Sequence, residues 1–289
     1  MLTYTLCDRN CMNYTSTSLY RYAGGKNKMK DDIIKIIDEI HPNLEKMMSP
    51  FMGGGCIELA LAARGVKVQA YDLFQPLADF WEILSTEGGK AIAEEAAKHY
   101  PLRDREHYKS FLPLLESQDK FTRAWSFYIC IKGAFSGDLG HTSEASRKNL
   151  CSAGLMRLAG FYNPNFSFSF GDCFETIPKH KNDFLYLDPP YYKTTSYYYG
   201  IDGSTHEGFN HDKLADVLKQ HEGGFVMSYD NTDYLKELYK DWTEFRYLEF
   251  DYQMAGDVSR RGKKTELIII KQPKVKIEAT LNPLESLLV

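Results

Sequence analysis

Residues 45–72 constrain this chain more than any other stretch. Glu45–Phe51 is a short apolar run that leads into Gly53-Gly54-Gly55, Ile57–Ala63 has helical character and stops at Arg64-Gly65, and Val66–Tyr71 alternates apolar with polar before Asp72. A strand, a glycine turn, a helix and a second strand ending in an acid make the opening unit of a nucleotide-binding α/β sheet. Glycines let the backbone approach a ligand, and the helix that follows offers N–H groups with no intrahelical partner. An acid about twenty residues past the turn is where such sheets hold ribose hydroxyls. The spacing is not GxGxxG and no Gly-Lys-Ser/Thr loop follows, so a nucleoside without phosphates is expected rather than a pyrophosphate.

The alternation continues along the chain with one interruption. The first twenty residues are polar and read as a loose arm, and residues 33, 34, 36, 37 and 40 form the apolar stripe of a helix that Pro42 helps to end. From about 80 to 165 the pattern is mostly helical, clearest at Ala91–Ala97 and Thr122–Lys132, and then becomes a Gly/Ser-rich irregular segment over 133–147. Strand signals return at Phe166–Phe170, Phe184–Leu187, Gly224–Tyr229, Phe245–Phe250 and Glu266–Lys271, with helices at His211–Gln220 and Asp233–Tyr239. The expected fold is a mostly parallel α/β core, residues 1–79 and 166–289, with a mainly helical insertion over 80–165 and a last strand pair that can be antiparallel.

Composition sets outer bounds. With 43% apolar residues in 289, the chain can bury a real core, which excludes disordered, collagen-like and disulfide-scaffold classes. No apolar run approaches the ~18–20 residues of a membrane helix, and the first twenty residues lack a signal-peptide pattern. Six cysteines without a CxxC pair fit a reducing, cytoplasmic setting. Cys7 and Cys11 are the closest pair and no metal is expected there. His206 and His211 read as isolated surface residues. The net charge of −4, from 35 basic and 39 acidic residues, argues against wholesale polyanion binding but leaves room for local patches. Arg21, Lys26, Lys28 and Lys30 form one basic cluster, and Arg123, Lys132, Arg147 and Lys148 lie in the insertion. Arg260, Arg261, Lys263 and Lys264 sit on an expected hairpin loop, where they suit phosphate contacts.

Asp188-Pro189-Pro190-Tyr191 is the most specific motif. Two prolines in succession hold the backbone extended and remove two N–H donors, so nearby carbonyls are open to a ligand. A carboxylate beside such acceptors suits an amino group, and the tyrosine ring can stack on a flat base. The motif follows a buried strand, where open α/β sheets place ligands. Tyr197-Tyr198-Tyr199, a few residues later, either lines a base channel or packs a loop.

These motifs together resemble the Dam-type (D12 class, α-group) DNA adenine N6-methyltransferases. Arg21-Tyr22-Ala23-Gly24-Gly25-Lys26 is similar to that family's Lys-Trp-Ala-Gly-Gly-Lys, and Pro50-Phe51-Met52-Gly53-Gly54-Gly55 to its Pro-Phe-x-Gly-x-Gly loop. Tyr71-Asp72-Leu73, Gly171-Asp172 and Asp188–Tyr191 then follow in family order. The resemblance implies a Rossmann-like core that uses S-adenosylmethionine, with Tyr22, Lys26, Phe51, Gly53, Gly55, Asp72, Asp172, Phe174 and Asp188 as cofactor contacts. It implies Asp188, Pro189, Pro190 and Tyr191 as the catalytic set, with residues 80–165 as the target-recognition insertion ahead of that motif. Double-stranded DNA is the implied partner, in a bacterial or phage-encoded protein working at the nucleoid. A cognate restriction nuclease and the oligomeric state are left open.

Three departures matter. Tyr22 replaces the usual tryptophan. Cys173 stands where phenylalanine follows Gly-Asp, so either Cys173 or Phe174 packs on the cofactor's adenine. The segment typical of GATC-reading members is absent, so GATC specificity does not carry over. An RNA base methyltransferase and a catalytically silent DNA-binding homologue stand as alternatives to the adenine enzyme.

Overall fold

The computed structural model describes residues 14–192, 208–252 and 262–274. In chain order the helices are α1 (Lys30–Ile40), α2 (Cys56–Ala63), α3 (Gln75–Glu87), α4 (Lys90–Ala97), α5 (Arg105–Lys109), α6 (Lys120–Gly133), α7 (Glu144–Arg147), α8 (Ser152–Ala159), α9 (Cys173–Lys179), α10 (His211–Gln220) and α11 (Asp233–Tyr239). The strands are β1 (Lys46–Ser49), β2 (Lys67–Asp72), β3 (Ala134–Phe135), β4 (Asp138–Thr142), β5 (Phe166–Phe170), β6 (Phe184–Leu187), β7 (Phe225–Asp230), β8 (Glu244–Tyr252) and β9 (Gly262–Lys271). No described helix is long and apolar enough to cross a membrane.

Seven strands form one sheet in the order β5-β2-β1-β6-β7-β9-β8. Pairings are parallel from β5 to β7, while β9 runs antiparallel to both β7 and β8. This is the Rossmann-like α/β arrangement expected, and the reversed strand falls in the last pair. Chain order turns back at β1, with β2 on one side and β6 on the other, so the crevice beyond the C-terminal ends of β1 and β6 is the topological switch point. The glycine loop leaves β1 there, and Asp-Pro-Pro-Tyr leaves β6.

Local sequence explains the strand positions. Phe184-Leu-Tyr-Leu187 is buried throughout and Phe225–Tyr229 likewise, as central strands covered on both faces must be. Phe166-Ser-Phe-Ser-Phe170 alternates, with Phe166 and Phe168 buried and Ser167 exposed, which suits a strand at the sheet edge. Two hydrophobic clusters form. One gathers α1–α6 and α8, with Phe80, Trp81, Phe127 and Tyr128 fully buried. The other packs α9, α10 and α11 around Leu187, Phe225 and Tyr239.

Several expectations change. Residue 79, where the first core segment was expected to end, lies inside α3, and α6 shares the first cluster with that helix. The first twenty residues are not wholly loose: Leu19 and Tyr20 are buried, and Thr15 N donates to Tyr162 O at 2.9 Å. Apolar side chains at 19 and 20 anchor the described part of that segment. The Gly/Ser-rich stretch is ordered as a β3–β4 hairpin followed by α7, whose N-terminus Ser143 and Ser146 close reciprocally. Ser136 at φ 57° and Gly137 at φ 84° make its tight turn.

Candidate functional site

The glycine loop is built by close approach. Gly53 has φ 49°, and a Cβ there would meet Tyr22 Cδ1 at 2.8 Å, so the Tyr22 ring lies directly on the loop. Gly55, at φ 66°, caps α2, and a Cβ would meet Met52 Cε at 2.3 Å. The Gly53 carbonyl accepts from Trp81 Nε1 at 3.1 Å and Tyr20 Oη at 3.2 Å. Gly53 N donates to Asp72 Oδ2 at 3.0 Å, and Phe74 N donates to Asp72 Oδ1 at 3.1 Å. Both carboxylate oxygens are therefore positioned by main chain. Burial raises the Asp72 pKa against these stabilising N–H donors.

A second acid, Asp172, caps α9 by accepting Phe174 N at 2.8 Å. Cys173 turns inward and is 6% exposed, while Phe174 lies half-buried with its ring 5.7 Å from Phe209 at 19°. Phe209 also meets Phe51 edge-on at 5.8 Å. An aromatic wall thus comes from Phe51, Phe174 and Phe209, the last of which no sequence motif indicated.

The third acid, Asp188, is held by a side chain. Lys26 Nζ donates to its Oδ1 at 2.6 Å, to its Oδ2 at 2.7 Å, and to Gly24 O at 2.8 Å. The Lys26 side chain is 4% exposed and that of Asp188 22%. Burial raises the Asp188 pKa, with Lys26 pulling the other way. Tyr191 donates its hydroxyl to Glu266, and Lys26 Nζ lies 4.9 Å from the centre of the Tyr191 ring. Glu58, in the first turn of α2, is a further buried acid that sequence reasoning missed. It accepts Ser49 Oγ at 2.7 Å, and burial pushes its carboxyl up to about 7.

Tyr22, Lys26, Phe51, Gly53, Gly55, Asp72, Asp172, Phe174, Asp188, Pro189 and Pro190 all line one cleft at the switch point. Tyr191 stands beside that lining, joined to it through Lys26. The basic residues behave differently. Lys26 belongs to the cleft rather than to a surface cluster with Arg21, Lys28 and Lys30, because its ammonium is taken up by Asp188. Arg123 pairs with Asp79 at 2.5 Å, and Lys132 is buried, so neither contributes to a basic face of the insertion. Lys263 and Lys264 are in β9, opposite Asp251 and Phe250, because the ladder extends beyond the expected loop. Arg260, Arg261, Tyr197–Tyr199, His206, Cys7 and Cys11 lie outside the described residues. His211 is half-buried rather than on the surface. Its Nδ1 shares a hydrogen bond with the Tyr229 hydroxyl, and its ring packs among Tyr192, Phe209 and Tyr234.

Chemically, the cleft offers acceptors for hydroxyls at Asp72, flat apolar walls, and a carboxylate at Asp188 whose partner is the buried Lys26 ammonium. Residues 22–255 match the family described as D12 class N6 adenine-specific DNA methyltransferase. A curated relative, the modification methylase StsI of Streptococcus sanguinis, is 25% identical over 301 aligned residues covering 90% of this chain. The chain spans 44% of that relative's length. Among solved structures, precorrin-6y C5,15-methyltransferase of Geobacter metallireducens is 8% identical, covering 90% of this chain and 98% of that one, with a TM-score of 0.39. A SAM dependent methyltransferase of Agrobacterium tumefaciens is 13% identical, covering 86% and 62%, with a TM-score of 0.36. Likenesses this loose carry no functional weight.

Proposed function

The chain belongs to the D12 class N6 adenine-specific DNA methyltransferases, and from that premise we propose that it transfers a methyl group from S-adenosylmethionine to N6 of an adenine flipped out of duplex DNA. The observation that carries the proposal is the meeting of Asp72, the glycine loop and Asp188-Pro189-Pro190 in one cleft at the switch point. The residues present fit the cofactor. Asp72 offers oxygens to ribose hydroxyls, Phe51, Phe174 and Phe209 offer walls to a purine, and the Tyr22 ring closes the loop above Gly53. When bound, S-adenosylmethionine supplies an electrophilic methyl group on a sulfonium.

The chain's own part is positioning and electrostatics. Adenine N6 is a poor nucleophile because its lone pair is delocalised into the ring. The Asp188 carboxylate and the Pro189 carbonyl each accept one N6–H, which turns that lone pair out of conjugation. In doing so Asp188 accepts from the base on oxygens that also hold Lys26. The target amine is unreachable in a stacked duplex, so the base leaves the stack at a cost of a few kcal/mol. Stacking on Tyr191 returns ~1–3 kcal/mol. Residues 80–165, carrying the β3–β4 hairpin, form the recognition insertion in this reading, with the Arg260, Arg261, Lys263 and Lys264 segment on phosphates. The likeness to a modification methylase supports a role in DNA modification, with a cognate nuclease as the partner to seek.

Long-read sequencing of DNA from cells expressing the chain tests the proposal. The expected result is N6-methyladenine at a fixed sequence context, lost in Asp188→Ala. Methyl transfer to RNA alone would transfer the reading to the RNA enzymes, and no transfer to any nucleic acid would leave the silent homologue.

A further inference from the structure

Glu266 lies on β9, the one reversed strand of the sheet, and no motif pointed to it. It is 4% exposed, yet it reaches Tyr191 and Lys26, the residues beside Asp188. It accepts the Tyr191 hydroxyl and stands 3.7 Å from Lys26 Nζ. Two carboxylates therefore flank one buried ammonium, which is bound to Asp188 at 2.6 Å and only near Glu266. A shift of about 1 Å would bring Lys26 within hydrogen-bond range of Glu266. Asp188 has lone pairs beyond the two that Lys26 occupies, but a donor arriving there competes with Lys26 for its charge, and an ammonium drawn away inside the protein needs another anion. Burial raises the Glu266 pKa, with Lys26 opposing it, so an approaching ammonium favours its charged form.

We propose that Glu266 is a positioning residue for methyl transfer: it receives the Lys26 ammonium when an exocyclic amine takes Asp188, and it sets the Tyr191 ring through its hydroxyl. The proposal rests on the methyltransferase reading above.

The test is single-turnover methyl transfer to duplex DNA carrying the recognised site, followed across pH, with S-adenosylhomocysteine affinity measured by calorimetry. Glu266→Gln keeps an oxygen for Tyr191 but removes the anion. It should lower the transfer rate at least about tenfold and leave the affinity within about twofold. Glu266→Asp should recover part of the rate and restore a pH dependence that Glu266→Gln lacks. Tyr191→Phe, which keeps the anion, should lose less than Glu266→Gln. A Glu266→Gln rate within about twofold of wild type overturns the proposal. So does equal loss of rate and affinity in both Glu266 variants, which marks a purely structural role. If Glu266→Gln does not fold, Glu266→Asp and Tyr191→Phe decide, and equal rates in these two with an unchanged pH profile overturn the proposal. A wild-type chain that methylates no DNA adenine defeats the functional reading itself, and this proposal with it.

Discussion

Asp72 and Asp188 both follow from parallel strands of one sheet and line the same cleft, but they are held in different ways. Asp72 is fixed by two main-chain donors, Gly53 N and Phe74 N. Asp188 is held by the ammonium of Lys26, 162 residues away in sequence. Main-chain donors that belong to a glycine loop and a helix entrance cannot leave without unfolding both. A lysine at the end of a flexible stem can move. The contrast separates an acid fixed by main chain from one held by a side chain, and under the proposed function these are the receptor for hydroxyls and the acceptor for the base.

The largest effect should come from the acid held by a side chain. Asp188→Asn should lower methyl transfer to duplex DNA about 10²–10³-fold with S-adenosylhomocysteine affinity nearly unchanged, because an amide is a weaker acceptor at the point where charge develops. Equal rates would break the distinction. A third acid sharpens it. Glu58 is 2% exposed and its carboxyl is raised to about 7. The folded protein therefore holds a proton there that the unfolded chain releases near pH 4.5. Its contribution to stability is full below the unfolded value and is lost as pH rises through about 7, on the order of 3 kcal/mol in all. Denaturant unfolding of wild type and Glu58→Gln between pH 5 and 8 should show a steeper decline in wild type than in the variant. The smallest effect belongs to the fixed acid. Asp72→Ala should weaken S-adenosylmethionine binding about tenfold, roughly 1.5 kcal/mol for a charge-assisted hydrogen bond, with transfer at saturating cofactor largely retained. A larger drop in transfer than in binding would erase the difference between the two acids.

Much of the site was legible because its elements are local. Gly53, Asp72 and Asp188 each end or follow a strand, and their motifs specify turn geometry within a few residues. The central strands were legible too, since Phe184–Leu187 and Phe225–Tyr229 are continuous apolar runs. The roles of basic residues were harder to read. Lys26, Arg123 and Lys132 look alike in composition to any surface lysine or arginine, yet Lys26 meets Asp188, Arg123 meets Asp79, and Lys132 is buried. His211 was similarly misread, because only folding brings Tyr229 to it. In the 133–147 stretch, small polar residues hid a hairpin and a capped helix, as glycine and serine carry little periodicity.

By itself the sequence determined the α/β alternation, the glycine loop and the two acids at strand ends, because each depends on neighbours within one strand and one turn. Tertiary structure decided which carboxylates share a lysine. Glu58 and Phe209 reach the cleft, and Glu266 reaches Lys26 and Tyr191 beside it, through helix burial, strand order and packing between elements far apart in the chain, and no local pattern encodes such distances.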